Sequence, residues 1–416
     1  MRRAPWLLAV WMLIACRGEA RQGLQASGDA DLARLVDSLR APVEQSTGLR
    51  FTSPPKSAMR SREQVRAYLL AKLDEELPPA RLRGLETTYR LFGLLSDTIH
   101  LRPLLLDLYT EQVAGFYDPD SAMLFGVEGA DRTQLRLVLA HELIHALQGQ
   151  HLPLDSILDA RENNDRLAAA QAILEGQATL ASLDVLAPGQ QIAQNPQFWE
   201  LYREQVRQQQ SSMPVFRRAP LVLREALIFP YLQGAEFMHW WRTERQEGLP
   251  YGSRMPVSTE QILHPARYRG GDLPVPLTFA ADTGVLYEDV LGEAEIRVIL
   301  ASLAGSDEVQ TVLPIGWGGD RYRLYSSPGG EALVWYVVWD DARAAERFLR
   351  SAAGLRGAGR RGYRATLDSL TLGGRPATRF VFAPDGWARW SGLPGATVAA
   401  RAPRDPEAAG SATAIE

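Results

Sequence analysis

The chain has 416 residues, of which 46% are hydrophobic and 23% charged, and its formal net charge is -4. This composition is typical of a globular protein that is long enough for two or three domains. The nearly balanced charge, without long basic or acidic runs, argues against a nucleic-acid partner.

The N-terminus has the pattern of an export signal. Two arginines precede a short apolar run at residues 7–15, and the sole cysteine, Cys16, follows at once. Such a run is too short to cross a bilayer of ~30 Å as a helix. The segment LIAC that ends at Cys16 resembles a bacterial lipobox, in which the cysteine carries the lipid. We therefore expect a lipoprotein signal peptide at 1–16 and a membrane anchor at Cys16 in the cell envelope. A plain signal peptide with a coincidental cysteine is the alternative.

The next hundred residues are mostly helical in pattern. Residues 17–30 are small and polar, which is typical of a flexible tether. Ser61 and Gln64 form a predicted capping box at the start of a helix, and Pro78-Pro79 ends it. The predicted helices of the region 31–110 lie at about 65–77, 81–95 and 101–113.

A hairpin and several long helices follow. Residues 114–117 and 122–127 are predicted strands, joined by a turn of sequence DPDS. Hydrophobic periodicity then predicts helices at about 133–148, 165–186 and 223–241, with an exposed Gln-rich helix at 190–210.

The pattern changes again beyond residue 280. Helices at 293–303 and 341–353 alternate with strands at 322–326, 333–339, 365–372 and 377–382. The Gly-rich segment 316–321 lacks the features of a phosphate loop and is interpreted as a tight turn. We expect an α+β protein: a mainly helical region at 111–275 with a small edge-strand hairpin, a small α+β domain at 276–400, and a disordered tail at 401–416.

The pentapeptide HELIH at 141–145 is the most informative motif. On a helix, His141 and His145 project from one face about one turn apart, so both imidazoles can reach one metal ion. Glu142 is then placed to deprotonate a water molecule and not to bind the metal.

A catalytic zinc ion takes a third protein ligand. The leading candidate is Glu175 in the next predicted helix, whose neighbours at helical spacing are small or polar and would allow close packing: Ala168, Gln171, Ala172, Ala178, Thr179 and Ser182. Gly176 beside it costs helix stability of ~1 kcal/mol, which indicates a packing or functional reason. The rival is His151, which has the spacing of the third histidine in HExxHxxGxxH. However, position 148 is glutamine and the glycine comes one place late, at Gly149.

Four segments together carry a family resemblance: QVAGFYDP at 112–119, HELIHALQGQH at 141–151, LEGQA at 174–178 and STEQILHP at 258–265. HELIH followed by EGQA resembles the gluzincin arrangement of zinc metallopeptidases. The whole set is similar to uncharacterised bacterial metallopeptidase-like lipoproteins over about residues 50–340. The resemblance implies one zinc ion per chain. One departure is Thr179, which stands where thermolysin-like enzymes have a carboxylate that orients a zinc histidine.

The expected activity is hydrolysis of peptide or protein substrates, with Glu142 as general base. His264 is the first candidate for a donor to the oxyanion, and a histidine that holds its loop in place is the equal alternative. Tyr231 and Tyr117 follow, and for both tyrosines a place in the core is the favoured interpretation. The strand 122–127 either pairs with substrate as an edge strand or is covered. Two other functions stay open: a non-catalytic envelope lipoprotein with a structural zinc site, and a cell-wall amidase.

Overall fold

The computed structural model describes residues 28–159, 163–189, 196–244, 248–306, 308–309, 316–357 and 360–400. The described residues form fourteen α-helices and ten β-strands, with a helical region followed by a C-terminal sheet, which confirms the expected α+β fold class. The predicted signal peptide with Cys16, most of the tether and the tail 401–416 lie outside these ranges. Within them, no helix has the length and apolarity needed to span a membrane.

The helical region contains twelve helices and one small sheet. Their bounds are α1 Asp29–Thr47, β1 Lys56–Arg60, α2 Arg62–Glu76, α3 Pro79–Leu91, α4 Leu101–Gln112, β2 Gly115–Asp118, β3 Met123–Val127, α5 Arg132–His151, α6 Leu154–Leu158, α7 Asn164–Leu186, α8 Pro196–Ser211, α9 Pro214–Arg218, α10 Leu221–Thr243, α11 Thr259–Leu263 and α12 Pro265–Arg269.

Side-chain caps begin several of these helices, including α5 and α7. The predicted capping box of α2 is confirmed, since the Ser61 hydroxyl accepts the Gln64 N–H and the Gln64 side chain accepts the Ser61 N–H. Asp131 accepts two backbone N–H groups at the start of α5, and Asn163 accepts one at the start of α7. These caps satisfy donors that have no partner inside the helix.

The predicted hairpin is present as β2 and β3, and a third strand, β1, extends it into a small sheet. Its strand order is β1-β3-β2, with β1 parallel and β2 antiparallel to β3. The strand β3 is therefore paired on both sides, and the alternative of a covered strand holds for residues 122–127. One face of β2 packs against α5: a Cβ at Gly115 would come within 2.9 Å of Val138. The short, mixed-polarity strand β1 has no alternation that could have predicted it.

The helix α8 is less exposed than expected. Residues 190–195 lie outside the described ranges, and the helix begins at Pro196. Trp199, Tyr202 and Val206 are buried, and the Trp199 ring lies 5.3 Å from the His239 ring of α10. The Gln-rich helix therefore covers α10 with an apolar face.

The C-terminal region is a five-stranded sheet with order β5-β6-β7-β9-β8, beside a two-stranded sheet of β4 and β10. Trp317, Trp335 and Trp339 are fully buried at its core, and Tyr336 is 2% exposed. The bounds are β4 Leu277–Phe279, β5 Val285–Asp289, α13 Gly292–Leu303, β6 Trp317–Tyr325, β7 Ala332–Trp339, α14 Ala342–Ser351, β8 Tyr363–Leu372, β9 Arg375–Pro384 and β10 Ala396–Val398.

The Gly-rich segment 316–321 is not the predicted tight turn. It enters β6 at Trp317 and has a register shift between Trp317 and Gly319. Gly319 has φ +151°, and a Cβ there would lie 2.3 Å from the Val275 carbonyl oxygen. The glycine therefore permits a bulge against a neighbouring segment, which no local pattern distinguishes from a turn.

Buried carboxylates join the helical region to the C-terminal sheet. Asp320 of β6 accepts the Leu291 and Gly292 N–H groups at the start of α13, at 3.0 and 2.9 Å. Asp165 of α7 accepts the Thr259 N–H at 2.8 Å. Gly292 has φ +75°, and a Cβ there would lie 1.9 Å from Asp165 Oδ1. The two regions therefore meet closely at a polar junction.

Candidate metal centre

Two helices bring three predicted ligands together. The Nε2 atoms of His141 and His145 on α5 lie 3.2 and 3.4 Å from Glu175 Oε2 on α7. One potential ligand atom from each residue lies within 4.8 Å of the other two. Two imidazole nitrogens and one carboxylate oxygen form a donor set that fits zinc.

Burial and mutual charge set the protonation of this group. Burial lowers the pKa of His141 to about 3. For Glu175, burial opposes ionisation, but the charge of His145 and hydrogen bonds with both histidines outweigh it and lower the pKa to about 2. A neutral His141 and an ionised Glu175 are the forms that coordinate a metal ion. At His145 burial lowers the pKa, but the charge of Glu175 and hydrogen bonds with Glu175 and Gln148 outweigh it and raise the pKa, so metal binding there would release a proton.

Glu142 is buried beside this group with its two oxygens in different surroundings. Its Oε2 accepts the backbone N–H of Tyr117 at 2.7 Å, which ties α5 to β2. Its Oε1 is buried and has no hydrogen-bond partner among the described residues. Burial raises the pKa of Glu142 well above its ordinary value, although the Tyr117 N–H opposes this shift. A buried oxygen without a partner is costly, so a water molecule or another polar group belongs next to it.

Tyr231 of α10 is also at the site. Its ring lies 6.3 Å from the His141 ring. Burial, the charges of Glu175 and Glu142, and a hydrogen bond to Glu175 raise the pKa of Tyr231 well above its ordinary value. Its hydroxyl is therefore a protonated donor beside the ligand group.

Two glycines explain how α10 reaches the site. A Cβ at Gly176 would lie 2.3 Å from the Gly234 carbonyl group, and one at Gly234 would lie 2.0 Å from the Ala172 carbonyl oxygen. The backbones of α7 and α10 are thus in direct contact next to Glu175. The glycine beside the glutamate has the packing reason that the sequence predicted, and its partner is α10.

The rival ligand His151 is not part of the group. The helix α5 continues through Gly149 to His151 without the sharp turn that the third-histidine pattern requires. His151 is exposed, and its Nε2 lies 2.7 Å from the Arg50 carbonyl oxygen. Gly149 makes room for the Tyr117 ring, since a Cβ there would lie 3.1 Å from the Tyr117 hydroxyl oxygen. The Tyr117 side chain therefore packs along α5, and its backbone N–H contacts Glu142.

His264 also lies outside the group. It follows α11, and its Nε2 lies 2.9 Å from Glu293 Oε1 and 3.2 Å from Arg297 Nη2 on α13. These contacts match the structural alternative, a histidine that holds its loop in place. His264, the first candidate for the oxyanion donor, therefore lies at the junction with α13, whereas Tyr231 lies beside the three predicted ligands.

Sequence reasoning missed one residue of the site, Gln148. It is fully buried, and its Oε1 lies 2.6 Å from His145 Nδ1. The spacing of three residues after His145 puts it on the same helix face, which was a usable signal. The sequence interpretation treated this glutamine only as a missing glycine.

The part of the chain that matches a known family does not include the candidate metal centre. Residues 283–381 match a family described as a domain of unknown function (DUF8575). The match runs from the start of β5 into β9 and so covers most of the five-stranded sheet. No curated protein and no solved structure gives a significant match to the chain. The metal-ligand group at residues 141–175 lies outside the matched segment.

Proposed function

We propose that this protein is a zinc-dependent peptidase, with zinc held by His141, His145 and Glu175. The observation that carries the proposal is the convergence of both Nε2 atoms on the Glu175 carboxylate, 3.2 and 3.4 Å away, beside the unpartnered oxygen of Glu142. The donor set and the adjacent base are the two parts that metal-assisted hydrolysis of an amide requires. The resemblance to gluzincins and the lipobox at Cys16 extend the proposal to a lipid-anchored enzyme of the bacterial envelope that acts on peptides or proteins.

A zinc ion bound here would act as a Lewis acid that acidifies water and polarises the substrate carbonyl. Glu142 accepts the proton of the attacking water on Oε1, while Oε2 stays bonded to the Tyr117 N–H and keeps the carboxylate in place. The same glutamate then delivers the proton to the leaving amine. The Tyr231 hydroxyl donates a hydrogen bond to the developing oxyanion.

The number of ligands favours catalysis over a structural zinc site. In the described part of the chain, the ligand group has three members. Structural zinc sites are closed by four protein ligands, whereas catalytic sites keep one position for water. A cell-wall amidase would use the same residues and differ only in substrate.

Zinc content tests the ligand set. We expect the full-length chain to bind one zinc ion, Glu175→Ala to lose it, and the matched variant His151→Ala to keep it, as measured by metal analysis after dialysis. The ligand assignment is wrong if His151→Ala loses zinc and Glu175→Ala does not. If the unsubstituted chain binds no zinc, the proposed function fails.

Hydrolysis of an unfolded, fluorescently labelled protein tests the base. We expect Glu142→Gln to keep zinc and to lower kcat by about 10²–10⁴-fold, because the amide cannot accept a proton. The control is Glu128→Gln, an exposed glutamate before α5, which should hydrolyse the substrate at the unsubstituted rate. Full activity in Glu142→Gln would exclude this mechanism.

A further inference from the structure

The amide of Gln148 has only one orientation that satisfies its neighbours. Its Nε2 lies 2.9 Å from the Leu174 carbonyl oxygen of α7 and 2.8 Å from Gln177 Oε1. A backbone carbonyl accepts hydrogen bonds and cannot donate them. The nitrogen of the Gln148 amide must therefore face Leu174, and its oxygen must face the opposite side.

The opposite side holds the imidazole of His145. Gln148 Oε1 lies 2.6 Å from His145 Nδ1, and an amide oxygen can only accept a hydrogen bond. His145 Nδ1 must then carry a hydrogen. In the neutral ring the lone pair is left on Nε2, the atom that lies 3.4 Å from Glu175 Oε2.

The glutamine is itself held in place. Tyr251, in the segment after α10, donates its hydroxyl hydrogen to Gln177 Oε1. Gln148 is fully buried, and Gln177 is 3% exposed. The orientation of the Gln148 amide is thus set by groups from α7 and from the segment that follows α10.

We propose that Gln148 is a positioning residue that selects the metal-binding tautomer of His145 and locks α5 to α7 beside Glu175; this role rests on the proposed zinc site. Leu174, which accepts the Gln148 N–H, directly precedes Glu175 in the chain. One side chain therefore orients one ligand and fixes the helix turn that carries another. It supplies the partner that position 179, a threonine, does not supply.

The test compares three variants of the full-length chain. Gln148→Leu removes the acceptor for His145, and Gln148→Glu retains it. The matched control is Gln150→Leu, since Gln150 lies on the same helix and ties it to residues 52–53 without touching His145. Zinc affinity is measured by competition with a chelator. The tautomer of His145 is read in the zinc-free protein at alkaline pH from the ring nitrogen resonances, which single substitutions can assign among six histidines.

We expect Gln148→Leu to bind zinc about 10–100-fold more weakly and to lose the fixed Nδ1–H form of His145. Gln148→Glu should keep the Nδ1–H form and recover part of the affinity, and Gln150→Leu should match the unsubstituted chain in both measurements. The proposal is overturned if Gln148→Leu keeps the Nδ1–H form, or if Gln148→Glu loses it.

The two measurements separate this inference from the proposed function. If the unsubstituted chain binds no zinc, the proposed function fails, but the tautomer comparison still decides the orienting role of Gln148. If zinc binds with equal affinity to the unsubstituted chain and Gln148→Leu, the function stands and the positioning role is wrong. If Gln148→Leu does not fold, Gln148→Glu alone decides, because its carboxylate still accepts the His145 Nδ1 hydrogen.

Discussion

At the scale of single residues, the site depends on asymmetry between atoms of the same side chain. Glu142 has one oxygen bonded to the Tyr117 N–H and the other buried without a partner. His145 has Nδ1 facing Gln148 and Nε2 facing Glu175. In the proposed mechanism, the first atom of each pair holds the orientation of the side chain, and the second serves the zinc ion or the attacking water. In the proposed reaction, such preorganisation would remove the cost of arranging these groups.

The Tyr231 hydroxyl leads to a prediction at this scale. Tyr231→Phe keeps the ring beside His141 and removes the hydrogen that would stabilise an oxyanion. We expect unchanged zinc content, a nearly unchanged KM, and a kcat lower by about 10²-fold, measured in steady-state hydrolysis of a peptide.

Tyr109→Phe is the matched control for this prediction, because both tyrosines are 4% exposed and Tyr109 lies on α4. It should leave kcat unchanged. An unchanged kcat in Tyr231→Phe as well would remove Tyr231 from the mechanism.

At the scale of elements, the crossing of α7 and α10 is the contact that places Tyr231. The two helices meet through Gly176 and Gly234, where any side chain would collide with backbone atoms. Backbone atoms cannot move aside as the end of a flexible side chain can. The helices would therefore separate, and Tyr231 would move away from Glu175.

The variant Gly176→Ala tests this crossing, and the variant Gly149→Ala, at a glycine of α5, is its control. We expect Gly176→Ala to lower the free energy of unfolding by about 1–3 kcal/mol, since the added methyl group overpacks the interface. Gly149→Ala should be neutral or stabilising by up to about 1 kcal/mol, because alanine favours the helix and the nearest atom is the movable Tyr117 hydroxyl. Urea denaturation measures both. Equal free energies of unfolding for the two variants would mean that α7 and α10 accommodate the added methyl group without cost.

At the scale of the whole molecule, buried carboxylates link the helical region to the C-terminal sheet. Burial raises the pKa of Asp165 to about 8, with a further contribution from the charges of Asp320 and Glu293, while bonds from Thr259 oppose the shift. Burial likewise raises the pKa of Glu295 to about 8 and that of Asp289 to about 6. Because the folded state favours the protonated acids, this junction is most stable at low pH and weakens as the pH rises.

Asp165→Asn should remove part of this pH dependence. With a folded pKa of about 8 and an ordinary pKa of 3.8, Asp165 contributes stability that is complete below about pH 4 and lost by about pH 8. Between about pH 5 and about pH 7, the free energy of unfolding of the variant should rise relative to the unsubstituted chain by up to about 1.4 kcal/mol per pH unit.

The control for this measurement is Asp74→Asn. A hydrogen bond from Arg102 lowers the pKa of Asp74, so this carboxyl is ionised in both folded and unfolded chains across the same pH window. Its difference from the unsubstituted chain should stay constant. A flat difference for Asp165→Asn as well would show that Asp165 does not titrate in this range.

Much of the helical framework could be predicted because it rests on local rules. The capping box at Ser61 and the periodicity of α4, α5 and α7 are properties of short segments, and the structure has these helices within a few residues of the expected bounds. The strand β1 and the bulge at Gly319 were missed because each depends on a partner far away in the chain. For the same reason, the strand at 122–127 could not be assigned to the edge or the centre of a sheet.

The amino-acid sequence was enough to predict that His141 and His145 lie on one helix face beside Glu142, because helix geometry makes residues four apart neighbours. It also singled out Glu175 and the lipobox cysteine as hypotheses. The packing of the helices was needed to show that Glu175 meets both histidines and that His151 and His264 lie elsewhere. It also showed that Tyr231 and Gln148 lie beside the group. The reason is physical: a helix period fixes neighbours on one helix, whereas neighbours on different helices depend on how those helices pack, here through Gly176 and Gly234.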